Sequence, residues 1–234
     1  MAKDLFSDQA GEYALYRPVY PQELFDYILS FVSEKGKAWD VATGNGQAAI
    51  PLTGHFKKVI GSDISKLQLE QAVQEEHLEY VHCAAEETPF AADTWQAFHK
   101  EACRVGKKGC VIAVWMYHLP QSSEGQINEA VQHFYTHITG PYWDPERKHI
   151  DEFYKNVLFD FERLPSKDFT ISKEFTKDEL AGYFSSWSAT RHYIKANGHS
   201  PIPVIREALD KAWRNENPKP FTFRIHLRLG RIEK

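Results

Sequence analysis

The chain has 234 residues, 42% of them hydrophobic, and a formal net charge of −4. That length suits one domain with a full sheet and helices on both faces, and the mixed charges leave no basic face for nucleic acid. A polar opening, Met1-Ala2-Lys3-Asp4-Leu5-Phe6-Ser7-Asp8, and the lack of a long apolar run argue against a signal peptide or membrane span; a cytoplasmic protein is expected. Cys83, Cys103 and Cys110 show no paired or metal-like spacing, which fits a reducing compartment and no metal site. Cys83 and Cys110 fall in apolar runs and read as small core residues.

In chain order, residues 6–21 are aromatic-rich and irregular, and Pro21 opens a helix carrying Leu24, Phe25, Ile28, Leu29 and Val32 at helical spacing. A strand over 38–42, a helix over 47–52, a strand over 59–63, a helix over 66–74 and a strand over 78–83 follow. This alternation predicts a parallel sheet of βαβ units. Trp95, Phe98, Ala102 and Val105 mark a helix. The run Cys110-Val111-Ile112-Ala113-Val114-Trp115 reads as a strand buried on both faces. Helical stripes recur at Ile127, Ala130, Val131, Phe134, Ile138 and at Ile150, Phe153, Tyr154, Val157. Thr176-Lys177-Asp178-Glu179 predicts a capping box, followed by Leu180, Tyr183, Phe184 and Trp187 on one face. A turn at 197–201 precedes a helix with Val204, Ile205, Ala208, Leu209 and Ala212. The alternation Phe221, Phe223, Ile225, Leu227, Leu229 is a half-buried strand.

The chemistry gathers around Asp40-Val41-Ala42-Thr43-Gly44-Asn45-Gly46-Gln47 and Asp63. Gly44 and Gly46 allow positive φ and close approach of backbone to a ligand. The amides of the following helix favour an anionic group. An acid at the tip of the second strand suits the two hydroxyls of a ribose. Together they predict a nucleoside-containing cofactor. Gly44-Asn45-Gly46-Gln47-Ala48-Ala49 also satisfies a dinucleotide fingerprint, but Asp40 inside the strand end suits an amino group better than a pyrophosphate.

The pattern Asp40-x-x-Thr43-Gly44-x-Gly46 resembles motif I of class I S-adenosylmethionine-dependent methyltransferases. The flanking residues Tyr13-x-x-Tyr16-Arg17-Pro18-x-Tyr20-Pro21, Asp63-Ile64-Ser65, Ala84-Ala85-Glu86, Gly140-Pro141-Tyr142-Trp143 and Tyr183 with Trp187-Ser188-Ala189 are similar to the Methyltransferase type 11 group, in the trans-aconitate methyltransferase branch. The resemblance implies an α/β, Rossmann-like, mostly parallel seven-stranded sheet ordered 3-2-1-4-5-7-6 with strand seven antiparallel. It implies one domain over 1–234, with 1–21 lying over the site and 118–200 a substrate-side helical insertion.

For the cofactor S-adenosylmethionine the resemblance implies binding by Tyr16, Asp40, Thr43, Gly44, Gly46, Gln47, Asp63, Ile64, Ala85 and Glu86. Asp40 would answer the ammonium, Asp63 the ribose, Ile64 an adenine face and Ala85-Glu86 the base edge. Arg17, Trp115, Tyr117, Tyr142 and Trp143 are candidate substrate contacts, although Arg17 could instead pin the N-terminal segment. His118 reads as a solvated loop residue, with a base as its alternative; Arg191 and His192 could meet an acidic substrate. No catalytic residue is assigned, because a carboxylate acceptor is already ionised at neutral pH. The expected reaction is methyl transfer to a small molecule, such as a carboxylate, by a monomer or homodimer. The alternatives are an NAD-dependent oxidoreductase and a non-catalytic cofactor-binding or interaction domain.

One departure from the family stands out. Only Ala91-Ala92-Asp93-Thr94 separates Glu86-Glu87-Thr88-Pro89-Phe90 from the helix at Trp95, short of strand four and its turns by roughly a dozen residues. The expectation is that residues are missing from the chain as read between Asp93 and Trp95, with a spliced or engineered deletion as the rival.

Overall fold

The computed structural model describes residues 16–85 and 95–233, with backbone alone at 95–98. Helix α1 (Gln22–Leu29) follows Pro21, its extended N-cap, and buries Leu24, Phe25, Ile28 and Leu29. Strand β1 (Lys37–Val41) runs into a glycine turn and the short helix α2 (Ile50–Thr53). Helix begins later than the expected residue 47 because Ala42, Gly44 and Gly46 all have positive φ, which holds the chain in turns. Strand β2 (Lys58–Asp63), helix α3 (Lys66–Glu70) and strand β3 (Leu78–His82) complete this half. Ser65 caps α3, its hydroxyl accepting from the Gln68 amide at 3.2 Å. The three strands form one parallel sheet in the order β1-β2-β3.

The second half starts with helix α4 (Trp95–Val105) and strand β4 (Val111–Tyr117). Strand β5 (Gln121–Ser122), helix α5 (Gly125–His133), a π-helical turn (Phe134–Ile138) and helix α6 (Arg147–Asp151) follow. Then come β6 (Glu162–Leu164), β7 (Phe169–Phe175), α7 (Lys177–Ser185), α8 (Ser188–Asn197), α9 (Ile202–Ala212) and β8 (Lys219–Arg231). Both bonds of the Thr176–Glu179 capping box are present, and Gly198 ends α8 in the left-handed conformation. The expected helical stripe through Val157 stops early: Phe153 and Tyr154 take φ of 56° and 55°, incompatible with continuing a right-handed helix.

Strand β8 organises this half. It pairs antiparallel with β4 and β5 along one edge and with β7 and β6 along the other. Phe221, Phe223, Ile225, Leu227 and Leu229 point into the core at 0–1% exposure, packed on Leu180, Phe184, Trp187, Ile205 and Leu209. Each such side chain contributes about 1.5–3 kcal/mol of transfer free energy.

The expected seven-stranded sheet is thus seen as two. Among the described residues β1 pairs only with β2, and β4 only with β8, so each sheet has an open edge where strand four of the family order would lie. The run 110–115, expected to be buried on both faces, is half-buried throughout, and within β4 only Met116 is buried. A strand with one neighbour lacks the lateral cover a central strand receives. Residues 86–94, and with them the expected break between Asp93 and Trp95, lie outside the described residues. Helix α1 links the halves: Leu24 and Ile28 join the larger core, Phe25 and Leu29 the smaller, and Trp115 packs against both. The three cysteines are half-buried, more exposed than the core positions expected for Cys83 and Cys110.

Candidate cofactor site

The two glycines follow β1 as expected, and the acid at the tip of β2 meets them. Asp63 Oδ2 accepts from the Gly44 amide at 2.8 Å, and Asp63 Oδ1 accepts from the Ser65 amide at 2.8 Å. A carboxylate has about four acceptor positions, so two protein donors leave room for two more. The parallel register that pairs Asp40 with Gly61 and Asp63 with His82 brings the strand ends to one edge. Beside them, the Thr43 hydroxyl donates to Asp40 Oδ2 at 2.5 Å. Burial pushes the Asp40 carboxyl up to about 6, and the nearby Asp63 charge adds to the rise against the Thr43 hydrogen bond. Asp40 therefore sits close to half-ionised in mildly acidic solution, and a neighbouring cation would draw it into its charged form.

Two observations bear on whether a positively charged nucleoside cofactor fits. Asn45, 8% exposed within the glycine turn, has its side-chain oxygen buried with no hydrogen-bond partner among the described residues. Over Gly44, at φ 57°, a Cβ would meet only Gln68 Oε1 among the described residues, at 3.8 Å, so they leave space above that backbone. An orphaned acceptor, two acids and an uncluttered glycine suit a ligand carrying an ammonium and a ribose. Gly46 differs: its missing Cβ makes room for Tyr80, which sequence reasoning overlooked. A signal was available, since Tyr80 stands opposite Gly61 in the β2–β3 register, and a large ring commonly covers a strand glycine.

Of the remaining candidates, Ile64 directly follows Asp63, and its carbonyl bonds the His82 ring at 2.9 Å. Gln47 and Ala85 are half-buried, and Glu86 lies outside the described residues. Tyr16 packs its ring onto Gly182 of α7, where a Cβ would come within 2.6 Å, and its carbonyl accepts from Lys173 at 3.1 Å. Arg17 pins this segment: it donates to Ser186 Oγ (3.1 Å), to the Ser186 carbonyl (3.3 Å) and to the Tyr117 hydroxyl (2.8 Å).

Trp115 and Tyr117 end β4 and pack edge-on or tilted against Tyr20, at 5.7 and 6.2 Å between ring centroids. Trp143 packs with Tyr135 and Trp187, with the Arg147 guanidinium 4.5 Å above its ring. Tyr142 faces α8: its carbonyl meets the His192 ring at 2.9 Å and its hydroxyl accepts from Asn197.

His118 is half-buried against Phe153, 4.1 Å between ring centroids, rather than solvated. It borders a cavity of about 440 Å³ shared with Asp168, Thr170 and Arg224. Burial and the Arg147 charge hold its pKa below the usual histidine value. Among the described residues no group of three histidine, cysteine or acidic side chains is placed to hold a metal, and no helix is long and apolar enough to cross a membrane.

Comparison with known proteins gives a consistent picture. A family model described as a methyltransferase domain matches residues 39–114. A curated methyltransferase-type protein of Dictyostelium discoideum is 33% identical, the match covering 90% of this chain and 87% of that protein. A solved structure from Anaeromyxobacter dehalogenans, described as a type II methyltransferase, is 28% identical with a TM-score of 0.80, over 93% of this chain and 99% of that one. A methyltransferase structure from Bacillus halodurans shares the fold at 17% identity and a TM-score of 0.50, over 92% of this chain and all of the other.

Proposed function

The chain belongs to the class I S-adenosylmethionine-dependent methyltransferases, and from that premise we propose that its donor site is the edge formed by Asp40, Thr43, Gly44, Gly46 and Asp63, serving a small-molecule acceptor. The observation that carries this reading is the Asp63 carboxylate meeting the Gly44 amide at 2.8 Å. In it, Asp63 holds the ribose hydroxyls, Asp40 and the Asn45 side-chain oxygen answer the ammonium, and Ile64, Gln47 and Ala85 border the nucleoside. Glu86 is proposed for the base edge, by resemblance alone. The bound donor supplies an electrophilic methyl group on a sulfonium.

What the chain itself must do is hold the donor in one pose, shield it from water and admit a nucleophile in line with the departing sulfur. Arg17 contributes by locking residues 16–21 to Tyr117 at the end of β4, where open α/β sheets present ligands. A carboxylate acceptor, favoured by the trans-aconitate resemblance, needs no general base at neutral pH. The proposed setting is cytoplasmic, as a single domain with 118–200 on the acceptor side, in a monomer or homodimer that uses no nucleic acid or membrane.

The test is a donor-dependent screen of small acids, phenols and amines with product mass detection, beside calorimetry with S-adenosylhomocysteine and with NADH. Methylated acid and S-adenosylhomocysteine binding are expected. Methylation confined to phenols or amines would overturn the carboxylate choice, and NADH binding without S-adenosylhomocysteine binding would overturn the donor site.

A further inference from the structure

We infer that Tyr80 is a positioning residue for the methyl donor: it is the floor on which the glycine turn rests, although it need not touch the donor. This rests on the donor site proposed above. Tyr80 stands in β3, paired in register with Gly61 of β2. Its ring crosses β2 at that glycine, where a Cβ would lie 2.9 Å from ring carbons Cδ1 and Cε1 and 3.0 Å from the Thr43 hydroxyl. The ring then ends beneath Gly46, where a Cβ would overlap the phenol oxygen. From there the hydroxyl donates to the Val73 carbonyl at 3.0 Å, in the turn that follows α3.

One side chain therefore touches the strand that ends in Asp63, the turn that carries Gly44 and the segment leading out of α3. Thr43, which neighbours the same ring, holds Asp40 through its own hydroxyl. The relative placement of Asp40, Gly44 and Asp63 is set across Tyr80. This also gives glycine a reason at two positions without reference to any ligand: a Cβ at 61 would collide with the ring, and at 46 a collision with the phenol oxygen adds to the strain of φ 92°. Burial, with the charges of Asp40 and Glu75, pushes the phenol up to about 12, so it remains a neutral donor to Val73 at every ordinary pH. Donor affinity is sensitive to such placement, because donors and acceptors moved out of position no longer meet the ligand at hydrogen-bond distance.

The geometry makes a pattern of couplings that general packing would not produce. At Gly46 the clash is with the phenol oxygen, so Tyr80→Phe removes most of it. At Gly61 the closest clashes are with ring carbons, so Tyr80→Phe leaves them and Tyr80→Leu relieves them, with the 3.0 Å approach to the Thr43 hydroxyl common to all backgrounds. The experiment is calorimetric titration of S-adenosylhomocysteine into the wild type, Tyr80→Phe, Tyr80→Leu and the combinations with Gly46→Ala and Gly61→Ala, each with its thermal midpoint.

Tyr80→Phe is expected to weaken binding by about tenfold, the size of one hydrogen bond, raising the donor KM with kcat within about twofold. Gly46→Ala should cost at least fivefold less affinity in the Tyr80→Phe background than in the wild type. Gly61→Ala should be rescued by Tyr80→Leu and not by Tyr80→Phe. Equal losses for Gly46→Ala in both backgrounds would overturn the assignment, as would a lower thermal midpoint for Tyr80→Phe with unchanged affinity. A wild type that fails to bind S-adenosylhomocysteine strikes the donor site itself, whereas intact wild-type binding with no coupling strikes only Tyr80.

Discussion

The two halves of this molecule use the same chain for opposite ends. In the C-terminal half β8 is flanked along both edges, and its inward side chains are sealed to 0–1% exposure beneath four helices. In the N-terminal half β1 has one described neighbour, no fully buried residue, and an end crowded with polar groups and left-handed turns. The first has the packing of a stable core. The second gathers acids and left-handed turns that a core would exclude, in keeping with the donor site proposed there. Helix α1 and Trp115 join them, so the two halves share part of their packing.

The sharpest way to break that comparison is a matched pair of truncations. Phe223, fully buried among Tyr117, Phe175 and Tyr183, should lose about 3–5 kcal/mol of stability on change to alanine. Val41 of β1, which is half-buried, should lose less than about 1.5 kcal/mol. Urea unfolding of both variants measures this, and similar losses would mean that the halves are equally packed. Amide exchange offers a second view, with β1 expected to exchange faster than β8. A smaller effect tests the chemical half. Asp63→Ala should weaken S-adenosylhomocysteine binding by roughly 10–100-fold, the worth of a charged hydrogen bond of about 1.5–3 kcal/mol. Calorimetry reads it, and unchanged affinity would remove Asp63 from the site.

The same contrast governs how legible each half was. Alternation in residues 221–229 and the capping signal at Thr176 rest on local periodicity, and both appear as read. The glycine turn and Asp63 were legible because two glycines one residue apart after an apolar run, then an acid after the next, form a residue pattern that no core needs. What escaped was non-local. Tyr80 looks like any aromatic strand residue until β3 is laid beside Gly61, and the register is not written in either strand alone. The left-handed Phe153 and Tyr154 read as part of a helical stripe because their apolar character outweighs any backbone signal in the sequence. The half-burial of β4 depends on its neighbour rather than on its own apolar run.

Acidity distinguishes the halves again. Asp40, with its carboxyl at about 6, is mostly protonated at pH 5 and mostly charged at pH 7.5. A ligand ammonium beside it binds the charged form, so S-adenosylhomocysteine affinity should fall about tenfold from pH 7.5 to pH 5. The sign for stability is opposite. A carboxyl raised by burial contributes stability below its unfolded value near 4, and that contribution is lost as pH rises through about 6. Asp40→Asn should therefore bind more weakly at pH 7.5 yet unfold at a higher temperature. Pairing calorimetry with a thermal scan decides it, and a variant both weaker and less stable would mean that Asp40 is structural.

The smallest effect concerns backbone strain, and it asks whether the donor half holds its shape at some expense to stability. Ala42 adopts φ 56° at the end of β1, a region in which a Cβ costs about 1–2 kcal/mol. Glycine carries no such penalty there, but it gives back part of the gain through the greater freedom of its unfolded chain. The net expectation for Ala42→Gly is about 0.5–1 kcal/mol of added stability, read as a shift of the urea midpoint at constant slope. Because Ala42 is exposed, no packing is lost to confuse the result. Destabilisation would show that the turn relaxes to negative φ in solution, and the placement of Gly44 against Asp63 would then need another support.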